Sequence, residues 1–102
     1  MPLDLQQRRA TFDARTGGPQ SQDLTFVLDT TIRIVGVALN GFDIGFTNGD
    51  HKLLRTQIDL DVISRIDNTA VVRVILSLRD ASGDFDDPFS GFVDVLLIAD
   101  RA

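Results

Sequence analysis

With 102 residues the chain has room for about one small domain and one core. It contains no cysteine, which excludes disulfides, Fe–S clusters and Cys-based zinc sites. A formal net charge of −5 argues against a general binder of nucleic acid or anionic membranes.

The composition is skewed within ordinary totals. All 15 acidic residues are Asp, and Lys52 is the single lysine among 10 basic residues. Without Glu and nearly without Lys, the chain lacks two of the best surface helix formers, while Asp favours caps and turns. That balance favours β-structure. No apolar run reaches the roughly 18 residues that a membrane-spanning helix needs. The segment from Met1 to Arg15 lacks an apolar signal-peptide region, so the expected location is cytoplasmic or reached by a non-classical export route.

Taken in order, the chain starts with a polar stretch, Met1 to Arg15, followed by the loop-forming residues Thr16 to Gln22. Residues 1–23 are therefore expected to be an arm and loop, lying over the domain or reaching a neighbouring subunit. Residues 24–102 are expected to form the domain itself. Leu24 to Leu28 is a short apolar run, ended by the turn residues Asp29-Thr30-Thr31. The long segment Ile32 to Phe46 carries Val35, Val37 and Leu39 in alternation, then Phe42, Ile44 and Phe46 one residue out of phase. A bulge at Asn40-Gly41 would absorb the extra residue.

Thr47-Asn48-Gly49-Asp50 predicts a hairpin turn. From Leu54 to Val62, Ile58, Leu60 and Val62 alternate with Gln57, Asp59 and Asp61, so one face is buried and the other wet. Asp67-Asn68-Thr69 is a further turn, and Val72, Val74, Leu76 and Leu78 alternate in the next strand. After a loop from Asp80 to Gly91, the strand Phe92 to Ala99 is apolar on both faces, which places it centrally or between subunits. The expected fold is all-β: a six-stranded antiparallel β-sandwich with a short N-terminal arm.

Catalytic signatures are missing. His51 is the only histidine, and Asp50 beside it points to the opposite face of a strand, a poor arrangement for orienting an imidazole. The sequence has no nucleophile elbow, phosphate-binding glycine loop or H-E-x-x-H pair, so no enzymatic activity is expected. Asp80, Ser82, Asp84, Asp86 and Asp87 crowd one loop. Such hard oxygen ligands suit Ca²⁺, with Asp80, Asp84, Asp86 and Asp87 as the candidate metal set, although the glycine and Glu positions of an EF-hand are not matched. The same residues serve equally as Asx-turn caps in a solvated loop. Arg55 and Arg79 fall at strand ends near Asp50 and Asp80. There they either offer fixed donors to sugar hydroxyls or form exposed ion pairs of small value. Seven Phe with no Trp or Tyr supply no amphipathic stacking platform, and no basic–aromatic interleaving supports nucleic-acid recognition.

The run of Leu24-Thr25-Phe26, Val35-Gly36-Val37-Ala38-Leu39 with Gly41-Phe42-Asp43-Ile44, Leu54-Arg55, and Val93-Asp94-Val95-Leu96-Leu97-Ile98-Ala99 resembles the H-type lectin family over about residues 24–100. That resemblance implies a six-stranded sandwich assembled as a trimer, binding N-acetylgalactosamine-type sugars in clefts between subunits. It implies sugar-binding roles for Arg55, for Arg79 and Asp80, and for Asp23, with His51 at the rim. Arg79 and Asp80 replace a Trp-His-Asn stretch of the family, in a longer and more acidic loop. The sequence thus leads to a carbohydrate-binding homo-oligomer that requires no cofactor, Ca²⁺ being optional. The competing expectation is a structural module of a larger particle with no small ligand.

Overall fold

The computed structural model describes residues 3–49, 53–80 and 87–102, with Leu53 and Leu54 described for their backbone alone. All regular structure among them is strand: β1 (Leu3–Arg15), β2 (Gln20–Val27), β3 (Ile32–Phe46), β4 (Leu53–Ile66), β5 (Thr69–Asp80) and β6 (Phe89–Arg101). The strands form two three-stranded antiparallel sheets, ordered β1-β6-β3 and β2-β5-β4. The six-stranded antiparallel sandwich expected from alternation is therefore the fold.

Burial follows the period of two. In β5, Val72, Val74 and Leu76 are fully buried, and in β6 so are Val93, Val95 and Leu97. Each such residue contributes roughly 1.5–3 kcal/mol relative to an exposed side chain. Phe26 of β2, Phe12 and Ala10 of β1, and Phe89 complete the core. The last strand is central in its sheet, flanked by β1 and β3, which explains its apolar character on both faces. In β3 the register jumps between Leu39 and Gly41, so Asn40 is the extra residue. Both apolar triplets of that strand consequently face the same way.

Four local expectations are corrected, the first two being loop limits: Gln20–Gln22 already belong to β2, and Phe89–Gly91 to β6. Residues 3–15 are not a loose arm: they form β1, paired with β6 from Leu3↔Asp100 to Arg15↔Phe89. The inward positions of β1 include Gln6 and Arg8, which hid its alternation. The Asn48-Gly49 turn does not close a hairpin either. β3 pairs with β6 and β4 with β5, so this turn arches from one sheet to the other. A turn signal encodes chain reversal and leaves the choice of partner open. The one connection that stays within a sheet is Asp67-Asn68, between β4 and β5, with Asp67 at φ 56°.

The domain is a rod of 49 × 19 × 18 Å. Its radius of gyration of 15.7 Å exceeds the roughly 13 Å of a compact chain of this size. One end gathers the 28–31 and 67–68 connections, where Leu28 N–H donates to Asn68 O and Ile32 N–H to Asp67 O. The other end gathers the 47–49 turn and residues 87–88, joined by Thr47 N–H to Pro88 O at 3.0 Å.

Two features carry measurable consequences. Gly91 has φ +149°, and a Cβ there would meet Asp43 O at 2.0 Å and Ile44 at 2.8 Å. Gly91→Ala is therefore expected to destabilise the fold by about 2–4 kcal/mol in denaturant unfolding. An unchanged midpoint would mean that β3 and β6 do not approach this closely. On the outer face of β6, both carboxylate oxygens of Asp100 are buried without a hydrogen-bond partner among the described residues, in register with Leu3 and Ile34. Leu at position 100 removes an unsatisfied group, so Asp100→Leu should raise stability by about 1–3 kcal/mol. A fall in thermal midpoint would show that the carboxylate has a partner after all.

Candidate functional site

Arg55 and Arg79 are brought together. They are direct cross-strand partners of β4 and β5, on the outer face of the β2-β5-β4 sheet and at the rod end that holds the 47–49 turn. Like charges directly opposite one another are unfavourable unless a negative group lies between or beside them, and Arg79 is held by an interaction within the domain. Arg55 is exposed and Arg79 half-buried.

The other sugar-site candidates are not assembled around that pair. Asp80 follows Arg79 in the strand and is therefore on the opposite side of the sheet, buried and in register with Leu53. Asp23 lies on the outer face but pairs with Arg73, six residues before Arg79, roughly 20 Å along the strand. There Arg73 grips it with two hydrogen bonds, Nε at 3.0 Å and Nη2 at 3.2 Å. His51 lies outside the described residues.

The calcium candidates divide similarly. Asp84 and Asp86 lie outside the described residues, and the side chain of Asp80 faces inward. Asp87 is half-buried and accepts a hydrogen bond from Asn48 Nδ2 at 2.9 Å. Among the described residues, no group of three or more His, Asp, Glu or Cys side chains is arranged to hold a metal ion.

Sequence reading missed a second organised charge cluster. On the outer face of the β1-β6-β3 sheet, Arg9 pairs with Asp94 through Nε at 2.8 Å and Nη2 at 3.1 Å. Its guanidinium also stacks 3.7 Å above the Phe92 ring. Asp94 and Phe92 share the period of two with each other, but Arg9 comes from 85 residues away, so only the register of β1 on β6 brings the three together.

Apolar side chains are exposed over the opposite half of the rod. Leu3, Leu5, Ile34 and Ile98 lie on the outer face of the β1-β6-β3 sheet, and Val27, Ile63 and Ile66 lie towards the same end of the other sheet. Charge is interspersed among them, with Arg101 Nε donating to Asp4 Oδ2 at 2.8 Å and Arg65 Nη1 to Arg33 O at the same end.

Comparison of the chain with protein-family models, with curated proteins and with solved structures found no match in any of the three.

The two bidentate ion pairs set an acid dependence. The hydrogen bonds from Arg9 hold the Asp94 carboxyl below its ordinary value of 3.8, against a smaller opposing effect of desolvation. Arg73 does the same for Asp23. A carboxyl depressed in the folded state contributes stability above its unfolded pKa, and that contribution is lost as pH falls through the folded value. The thermal midpoint should therefore drop on acidification below about pH 4, and less steeply in the Asp23→Asn/Asp94→Asn double variant. Identical slopes for variant and parent would show that these pairs are open in solution.

Proposed function

We propose that the chain is a non-catalytic, self-associating binding module that takes carbohydrate at its charged end, in clefts between subunits. The observation that carries this reading is the cross-strand register of Arg55 on the edge strand β4 with Arg79 on β5, both on the outer sheet face. Guanidinium forks present several fixed donors to vicinal hydroxyls or to a sugar carboxylate. A site on a three-stranded sheet of this narrow rod offers one wall only, and a neighbouring subunit would supply the second. Several weak sites on one oligomer gain avidity on a multivalent surface without new contacts. The H-type lectin resemblance points the same way, with a trimer as the expected assembly. Ca²⁺ remains a candidate ligand of the 80–87 loop within this proposal.

The dispersal of Asp80 and Asp23 away from the arginine pair, together with the exposed apolar side chains Leu3, Leu5, Ile34 and Ile66, favours a second reading. In it the chain is an assembly module whose surfaces bind only other protein. A glycan array probed with the assembled protein, with calcium and again with chelator, separates the two. The first reading expects binding to a narrow set of terminal sugars, weakened by about tenfold or more in Arg55→Ala through loss of a charge-assisted hydrogen bond. Loss of binding with chelator would bring the acidic loop into the site. Silence from a folded, assembled protein would overturn the carbohydrate reading in favour of the second.

A further inference from the structure

The outer face of the β1-β6-β3 sheet carries two aspartates of β6, and the chain treats them in opposite ways. Asp94 faces Arg9 directly across the ladder, and that guanidinium donates to both carboxylate oxygens, at 2.8 and 3.1 Å. Further along the same face, Asp100 has Leu3 and Ile34 as its direct partners. Neither of those side chains can donate a hydrogen bond. Both Asp100 oxygens are withdrawn from solvent and have no partner among the described residues.

The basic side chains at this end of the rod are engaged elsewhere. Arg101 Nε donates to Asp4 and its Nη1 to Thr30, while Arg65 caps Arg33 O and Arg8 caps Thr25 O. Arg33 stands exposed at the register shift between Ile32 and Ile34. A carboxylate held out of water without a donor lowers the stability of a small domain. Stability is commonly given up in this way at sites that bind.

We infer that Asp100 anchors a protein-docking site, and that its occupant is an arginine of a partner protein flanked by apolar residues. Three observations select that occupant. First, both oxygens lack donors. A planar guanidinium fork supplies two parallel N–H groups, where a lysine ammonium supplies a point charge. The Arg9–Asp94 pair displays that geometry on this same face.

Second, Leu3, Ile34 and Ile98 surround the carboxylate, with Leu5 opposite Ile98, so the flanks of the incoming arginine meet apolar surface. An ion pair enclosed by such a rim is shielded from water and is stronger than an exposed one. Third, there is a path to the carboxylate. Gly36 faces Ile98 next along β3, and a Cβ there would meet nothing within 4 Å. Leu3 and Ile34 are 66% and 67% exposed, so they pack against little and can swing aside. The carboxylate is already dehydrated in the free chain, so association does not bear that cost again. This surface lies on the other sheet and at the other end of the rod from Arg55 and Arg79. It therefore goes beyond the carbohydrate reading and does not depend on it.

A library of random dodecapeptides, selected on the folded full chain with Asp100→Asn as counter-selection, tests this. The selected peptides should share an arginine between apolar residues. They should bind the parent at least about tenfold more tightly than Asp100→Asn, the loss expected for a charge-assisted pair. Citrulline in place of that arginine, similar in shape but uncharged, should lose as much. In amide NMR spectra the peptide should shift Leu3, Ile34, Gly36, Ile98 and Asp100 and leave Arg55 and Arg79 unmoved. Gly36→Val, which fills the approach without touching the core, should weaken binding at an unchanged thermal midpoint. Asp100→Leu should be more stable than the parent yet fail to bind, a combination that a purely structural role would not produce.

An empty selection, peptides without a shared arginine, or peptides that bind Asp100→Asn as well as the parent would overturn the inference. So would lysine serving equally well, or a dimer of the chain itself that Asp100→Asn dissolves, which would make a second copy the occupant. A drop in the thermal midpoint of Asp100→Leu would also overturn it, because a cation of this chain, such as Arg33, would then already hold the carboxylate. Peptide binding at Asp100 with silence on the glycan array would remove the carbohydrate reading and leave the docking site standing.

Discussion

The face-to-face packing of two central strands, β5 on β6, is the contact on which everything else depends. Val72, Val74 and Leu76 on one side, with Val93, Val95 and Leu97 on the other, lose all contact with solvent. They can do so because each of these strands has a neighbour on both edges and a sheet opposite. An edge strand of a three-stranded sheet has no such protection, since half of its inner face looks out through a seam. Three strands per sheet therefore leave two seams, and the polarity of the inner-face residues on the edge strands decides what each seam becomes.

Glutamines and an arginine on β1 and β2 turn one seam into a set of lids over a buried phenylalanine row. The Arg8 guanidinium, 5.8 Å from the Phe26 ring centroid, caps a carbonyl and covers an aromatic face with one side chain. On β3 and β4 the corresponding positions are mostly aliphatic, with Thr56 and Arg65 among them, and Arg65 Nη1 caps Arg33 O near one end. The outer faces add two cross-strand bidentate pairs, Arg9–Asp94 and Arg73–Asp23, which tie the edge strands β1 and β2 to the central strands. Exposed pairs of this kind add little net stability, so their value here lies in holding register.

The distribution of charge is also uneven along the rod. Charged residues that could contact a ligand gather at one end, beside the strand that also borders the β3/β4 seam. Within a single chain, Asp80 and Arg79 cannot serve one ligand, because consecutive residues of a strand leave opposite faces of the sheet.

Alternation and apolar runs located five of the strands and the phase change at Asn40-Gly41, and left β6 either central or between subunits. Each follows from the period of two and from how many faces a strand must bury. β2 and β6 both begin a few residues earlier than those patterns suggest, at Gln20 and Phe89. β1 was illegible because Asp4, Gln6 and Arg8 occupy inward positions of an edge strand, where a polar side chain reaches across a seam instead of into a core. The arch at Asn48-Gly49 was mistaken for a hairpin because turn chemistry reverses the chain without choosing its partner. The grouping of Arg55 with Arg79, the separation of Asp23 and the Arg9–Asp94–Phe92 cluster are products of register between strands distant in sequence. The sequence by itself determined that this chain is a small, cysteine-free, all-β domain, since composition and periodicity are local properties. Only the tertiary structure decided which seam is polar, which is mostly aliphatic and which charges meet, because those depend on strand pairing across as many as 85 residues.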